Sequence, residues 1–404
     1  MSTNPGIKVL LGAFERSARS SLAGDWGESW AGLLSGKRRF KGIETEVQGW
    51  PDSKPVACLA EWPTEYQLAG RARALAQALG QDTRPIHKEL LHLNPDLKLS
   101  IVVATSHGET SAVSEFAEHL QVQKQLLSSS VAEAMLCDVL LGAFLKGLGE
   151  RCPGSTLSAA CASACVATGM AAARIRMGLS DACLVVSLDV LSRTAHAGFS
   201  QIGAMSPDGC RPFDRRRNGT TVGEAGAVLL LLSEAVAPPP SLRWLVKVGG
   251  FGQSCDARHP VEPSADGLSR ALERACVESR NSPRCLAGVY WHGTGTLQND
   301  RTEADVAKRL FGSAAPPGTS TKGAFGHAMG ASSALSILAA GESLSSRRLP
   351  PVAGLNDTAF PWMNLVMGEP RQLVDGPIAV AALGFGGINA ALVLIEEQGE
   401  QCRF

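Results

Sequence analysis

At 404 residues the chain exceeds what one ordinary core supports, so two fused α/β units or one large two-part domain is expected. Hydrophobic residues at 45% and charged residues at 19% exclude a disordered or fibrous chain, and 38 basic against 38 acidic residues leave no global field to draw nucleic acid or an anionic membrane. Eleven scattered cysteines, no secretory signal and no apolar run near the roughly 18 residues of a spanning helix point to a soluble cytoplasmic protein with reduced thiols.

In chain order, the apolar run Ile7 to Leu11 predicts a buried strand, and the basic cluster Lys37, Arg38, Arg39 and Lys41 follows it. A helix is predicted from Gln67 to Leu79, a strand from Ile101 to Ala104, and helices from Val131 to Leu148 and Ala162 to Met177, with alanine or leucine recurring every three or four residues. Strands at Cys183 to Leu188 and Ala227 to Leu232 lead to a proline cluster, Pro238 to Pro240, which divides the chain into residues 1–240 and 241–404. Beyond it the pattern resumes. Strands are predicted at Trp244 to Val248, Val289 to Trp291, Ile378 to Leu383 and Ala391 to Ile395. Helices are predicted at Leu268 to Ser279, Glu303 to Phe311 and Ala331 to Leu344. The alternation argues for a layered α/β fold with loosely similar halves.

Three segments carry candidate chemistry. SAACASACVATG sets Cys161 where an apolar strand end gives way to a helix of small residues, and unpaired N–H groups at a helix start favour a thiolate there. Cys165, one turn later, reads as a buried apolar residue, and the pair without nearby histidines makes a poor zinc site. VYWHGTGT places His292 at the start of a sharp glycine–threonine loop, followed by Asp300 and Glu303 opening a helix. TSTKGAFGHAMG sets Lys322 and His327 in a second glycine-punctuated loop.

Together these residues resemble the β-ketoacyl-acyl carrier protein synthases of the Cys-His-His type, which include fatty-acid elongation synthases and polyketide ketosynthases. The resemblance rests on AACAS around Cys161, CRPFDRRRNGTTVGEAGAVLLL from Cys210 to Leu231, HGTGT from His292, TKGAFGH from Thr321 and GFGGIN from Gly384. It implies a five-layered αβαβα thiolase fold, with Cys161 in the first thiolase-like half and both histidines in the second. It also implies an acyltransferase in which Cys161 accepts an acyl chain from phosphopantetheine. His292 and His327 then steady the enolate of a decarboxylating malonyl-type extender, supported by Lys322.

By the same resemblance the backbone N–H groups of Cys161 and Phe385 form the oxyanion hole, Phe385 gates the site, and Thr294 and Thr296 bind the pantetheine arm. Arg211 and Asp214 are architectural. The run Arg215, Arg216 and Arg217 and the cluster at Lys37 to Lys41 are candidate docking faces for an acidic acyl carrier protein. The partners implied are that carrier and a second subunit, either an identical copy or a chain-length-factor-like one. No metal or resident cofactor is implied, because phosphopantetheine arrives on the carrier.

Three positions depart from the family. Ser336 stands where a glutamate pairs with the lysine equivalent to Lys322, so that lysine is expected to be less firmly held. Ile388 replaces a usual threonine, and Leu383 a frequent phenylalanine. Non-decarboxylative cyclisation or acyl transfer is therefore the alternative reading. A thiolase would need a second cysteine near the C-terminal glycine loop, which has none, and a chain-length factor would lack Cys161.

Overall fold

Uninterrupted aliphatic runs such as CLVVSL and AVLLLL are what strands buried on both faces require, and they build the centre of the molecule. The computed structural model describes residues 7–42, 53–61, 70–110, 136 and 138–397, so the predicted helices at Gln67 and Val131 begin outside the described residues. The first half contributes β1 (Val9–Ala13), β2 (Leu99–Ala104), β3 (Gly154–Leu157), β4 (Ala182–Asp189) and β5 (Ala225–Ser233). The second contributes β6 (Trp244–Cys255), β7 (Gly288–Tyr290), β8 (Gly318–Thr319), β9 (Ile378–Gly384) and β10 (Ile388–Glu396).

The spatial order is β3-β2-β4-β5-β1 and then β6-β10-β9-β7-β8. Counted within each half, both read third, second, fourth, fifth, first, and in both the fifth strand runs antiparallel to its neighbours. The halves join where β1 pairs antiparallel with β6, Leu11 opposite Val246. Pro238 to Pro240 lie on the connection between β5 and β6.

Among the described residues, eight helices of nine or more residues clothe this sheet: α1 (Trp26–Leu34), α2 (Arg71–Leu93), α3 (Asp138–Leu148), α4 (Ser163–Arg176), α5 (Arg193–Gln201), α6 (Ala265–Glu278), α7 (Leu297–Phe311) and α8 (Ser332–Ser346). Helices α2 and α3 cover the outer face of the first half, and α6 and α7 that of the second. Helices α4 and α8 lie against each other and against strands of both halves, their alanines buried in one shared cluster that includes Ala164, Ala167, Ala171, Ala334 and Ala339. The result is the five-layered αβαβα arrangement that the family resemblance implies.

Small residues set the closest approaches. A Cβ at Gly80 on α2 would fall on the Phe144 carbonyl oxygen of α3, and one at Gly147 on the Gln77 carbonyl oxygen, so the two helices cross backbone to backbone. Gly250 and Gly252 of β6 meet the Ala275 and Ala271 carbonyl oxygens of α6 in the same way. This contact explains why β6 continues to Cys255 rather than stopping at Val248: its glycines are packing positions, not a turn. Helix α2 likewise continues past Leu79 and through Pro85 to Leu93, because its buried face at Thr83, Ile86 and Leu90 keeps it docked. The half-exposed strand β3, sequence GSTL, carries no apolar run and is not foreseen.

Candidate active site

Cys161 sits between β3 and α4, and its position is wound tightly. Ala160 before it has φ 48°, the left-handed region that a non-glycine residue occupies only under constraint. The constraint is Ser163, whose Oγ accepts from the Ala159 amide at 2.9 Å and donates to the Ala160 carbonyl at 2.6 Å. The buried thiol is faced by the amide N–H groups of Cys161 itself and of Phe385, the two donors expected of an oxyanion hole. Here a correction is needed, because the helix start does not yield a resting thiolate. Burial pushes the Cys161 thiol up to about 12, against the pull of Lys322 and the two amides, so the resting nucleophile carries its proton.

His292 leaves the end of β7 and His327 the loop before α8; their rings stand perpendicular at 5.5 Å between centroids. The His292 Nδ1 faces two donors, the Lys322 Nζ at 3.3 Å and the Leu383 amide at 3.4 Å, so Nδ1 is the acceptor and the ring proton resides on Nε2. The His327 Nδ1 pairs with the Ser332 hydroxyl at 2.9 Å, which sets the same tautomer when that hydroxyl donates. Burial, and then the Lys322 charge, hold both imidazoles well below the usual histidine range. Two neutral rings therefore present N–H groups to one point.

The Lys322 ammonium is 2% exposed and donates to the His292 carbonyl at 2.6 Å. Burial pulls it down to about 8, and the nearby Glu303 carboxylate is the main opposing influence. The expectation of a loosely held lysine is thus not met. Ser336, where a partner carboxylate was sought, instead bonds the Thr321 hydroxyl at 2.9 Å; the acid that faces Lys322 is Glu303 on α7, whose own proton affinity burial raises. Glu303 accepts from the His292 amide at 2.6 Å, the Gly293 amide at 2.7 Å and the Asn299 side chain at 2.9 Å. Beside it, burial raises Asp300 to about 6 although it accepts from the Phe213 amide at 2.6 Å.

Cys161, His292 and His327 open onto one cavity of about 370 Å³, which Thr294, Thr296, Leu383 and Phe385 also line. Thr294 and Thr296 share a hydroxyl contact of 2.9 Å, and Thr296 in addition caps α7. Phe385 is 39% exposed and stacks on Phe199, which meets the His327 ring edge-on at 6.0 Å. Sequence reasoning misses Phe199, Ser332 and the role of Glu303, since each comes from a helix whose pattern announces only packing. It also passes over His107, although a histidine beside glycine at a strand end is the signature that singled out His292.

The proposed docking clusters do not survive intact as surface patches. Arg38 turns inward to the Cys210 carbonyl at 2.7 Å and the Gly323 carbonyl at 3.2 Å, while Arg217 lies over the Phe360 ring and 3.6 Å from Asp300. Arg215 and Arg216 remain exposed, paired with Asp357 and Asp214.

Residues 87–237 match the model of the β-ketoacyl synthase N-terminal domain and residues 245–356 that of its C-terminal domain. A putative polyketide β-ketoacyl synthase 1 of Streptomyces cyaneus is 30% identical over 304 residues, 72% of this chain and 71% of that protein. Among solved structures, a chain of the ishigamide ketosynthase/chain length factor superposes with a TM-score of 0.86 at 26% identity, covering 96% of this chain and 99% of that one. A ketosynthase in complex with its chain length factor from Xenorhabdus doucetiae gives a TM-score of 0.81 at 25% identity, with coverage of 98% and 100%.

Proposed function

We propose that this chain, which belongs to the β-ketoacyl synthase family, joins an acyl group held on Cys161 to a malonyl-type extender on acyl carrier protein by decarboxylative Claisen condensation. The pathway is fatty-acid or polyketide-like biosynthesis in the cytoplasm. The single observation that carries the reading is the convergence of Cys161, His292 and His327 on one cavity, with the Cys161 and Phe385 amides at the thiol.

In the first half-reaction the Cys161 sulfur attacks the carrier-bound thioester. Its proton leaves with the departing pantetheine thiol, and the developing oxyanion is received by the two amides. In the second, the extender loses carbon dioxide. The electron pair of the broken C–C bond becomes an enolate, whose oxygen takes hydrogen bonds from the Nε2–H groups of His292 and His327. The enolate carbon then attacks the acyl carbonyl, the Cys161 sulfur leaves as a thiolate, and it takes up one proton from solvent to restore the resting thiol. Thr294 and Thr296 line the path of the pantetheine arm. Phosphopantetheine travels on the carrier, so the chain itself needs a thiol, two imidazoles and Lys322. The partners are acyl carrier protein and a second subunit, either a copy of this chain or a chain-length-factor-like protein; the ishigamide and Xenorhabdus ketosynthases, each solved with a chain length factor, support the second-subunit reading.

The test is intact-protein mass spectrometry with acyl-loaded and then malonyl-loaded carrier. The expected results are an acyl adduct on Cys161 and release of carbon dioxide with a product two carbons longer. Loading that persists in Cys161→Ala, or an adduct that departs without decarboxylation, would overturn the assignment.

A further inference from the structure

Strands β2, β3 and β4 run parallel, and Cys161 follows the C-terminal end of β3. Their N-terminal ends frame a second cavity of about 470 Å³, lined by Lys98 before β2, Cys152 before β3 and Ser180 before β4, with His87 of α2 and Arg174 of α4. Its charge is uneven. Lys98, Arg151 and Arg174 line it against the single carboxylate of Glu150, and none of the four forms an ion pair among the described residues. Asp181, next in the chain to Ser180, accepts from the Lys98 amide at 2.9 Å and is not part of the lining. The lining thus carries a formal charge of +2.

Two polar groups are also left without a partner there. The Arg174 Nε is buried and unbonded, and the His87 ring, on a residue only 3% exposed, makes no hydrogen bond among the described residues. Solvent satisfies Lys98 and Arg151, which are exposed, but it does not reach the buried Arg174 Nε. Such groups cost free energy until something bonds them. Beside the cations, Leu91, Leu97 and Leu179 present apolar surface, with Leu179 51% exposed. The occupant that fits therefore combines negative charge with an apolar body. A phosphate monoester, carrying about −1.5 to −2 near neutral pH, matches the lining more closely than a carboxylate, and guanidinium groups grip its oxygens in pairs.

We propose that this cavity binds a phosphate monoester with a short apolar body, Lys98, Arg151 and Arg174 holding the phosphate and Leu91, Leu97 and Leu179 the apolar part. The site lies at the opposite end of β3 from Cys161 and does not depend on the reaction there, so its failure leaves the synthase reading untouched.

The experiment uses the full chain and takes Cys152, in the cavity wall, as its reporter. Hexyl phosphate is titrated while alkylation of Cys152 by iodoacetamide is followed by mass, with the exposed Cys255 as internal control. Occupancy is expected to slow Cys152 labelling roughly fivefold or more, because a bound anion both covers the thiol and disfavours its thiolate, and to leave Cys255 unchanged. Inorganic phosphate should need a roughly tenfold higher concentration, since it lacks the apolar chain, and hexanol should give no protection. Arg174→Gln and, independently, Arg151→Gln should each raise the hexyl phosphate concentration for half-protection about tenfold or more, the loss of one charge-assisted bond. Arg151 is exposed, so its variant keeps the test open if Arg174→Gln fails to fold. Labelling of Cys152 that hexyl phosphate does not alter overturns the proposal, as does protection that both variants retain or that hexanol matches. Equal potency of inorganic phosphate overturns its apolar half.

Discussion

Glu303→Gln isolates how the second half of the site is held together. The carboxylate receives three donors, the His292 and Gly293 amides and the Asn299 side chain. A glutamine of the same shape offers one oxygen and one NH₂ group, so at least one backbone N–H meets a donor rather than an acceptor. Losing a hydrogen bond to a charged group costs about 1.5–3 kcal/mol, and the stranded buried donor a further ~1–3 kcal/mol. The sum, about 2.5–6 kcal/mol, is a large share of an ordinary domain's stability. Lys322 loses its main opposing charge at the same time. The expected outcome is a lowered urea midpoint, acyl loading of Cys161 within about threefold of wild type, and carbon dioxide release from malonyl carrier reduced about tenfold or more, because the His292 ring is displaced. An unchanged midpoint together with an unchanged decarboxylation rate would refute the claim that Glu303 positions His292.

Ser332→Ala frees the His327 Nδ1 to take the ring proton; decarboxylation should drop roughly tenfold, a loss of about 1.4 kcal/mol, while loading persists, as single-turnover assays of the two steps would reveal. Burial holds Lys322 below the 10.5 of a free lysine, so over the range between its folded and unfolded values the unfolded chain binds more protons and this residue's contribution to stability grows with rising pH. Urea midpoints at pH 8 and 10 should therefore rise more in wild type than in Lys322→Met, and equal increments would contradict it. A Cβ at Gly330 would stand 2.7 Å from the Asp189 Oδ2 and 2.8 Å from the Ser106 amide nitrogen. Gly330→Ala is expected to cost roughly 1–3 kcal/mol by overpacking, measurable by thermal unfolding.

The residues proposed to do the chemistry are legible because each lies in a short loop whose neighbours in the chain are also its neighbours in space. Cys161 before its alanine helix, His292 before Gly293, and His327 after Lys322 all fall in that class. What escaped depends on distant segments. Glu303 reads as one more acid in the first turns of a helix, and only the fold carries it under His292. Phe199 lies on a helix with no distinctive pattern, and the helix expected to stop at Leu79 is carried by packing through Pro85 to Leu93. The thiol was misjudged for a related reason: the helix start can be read from sequence, but the depth of burial that outweighs it cannot.

The repeated strand order has a consequence for the cavity. The second strand of each half ends near a histidine–glycine pair, His107-Gly108 after β2 and His292-Gly293 after β7. The third leads towards a central alanine-rich helix, α4 behind Cys161 and α8 behind His327. The positions of Cys161 and His327 are thus counterparts, the same loop in the two halves facing one cavity. The cavity is therefore a seam between two like halves, with sulfur supplied from one side and imidazole from the other.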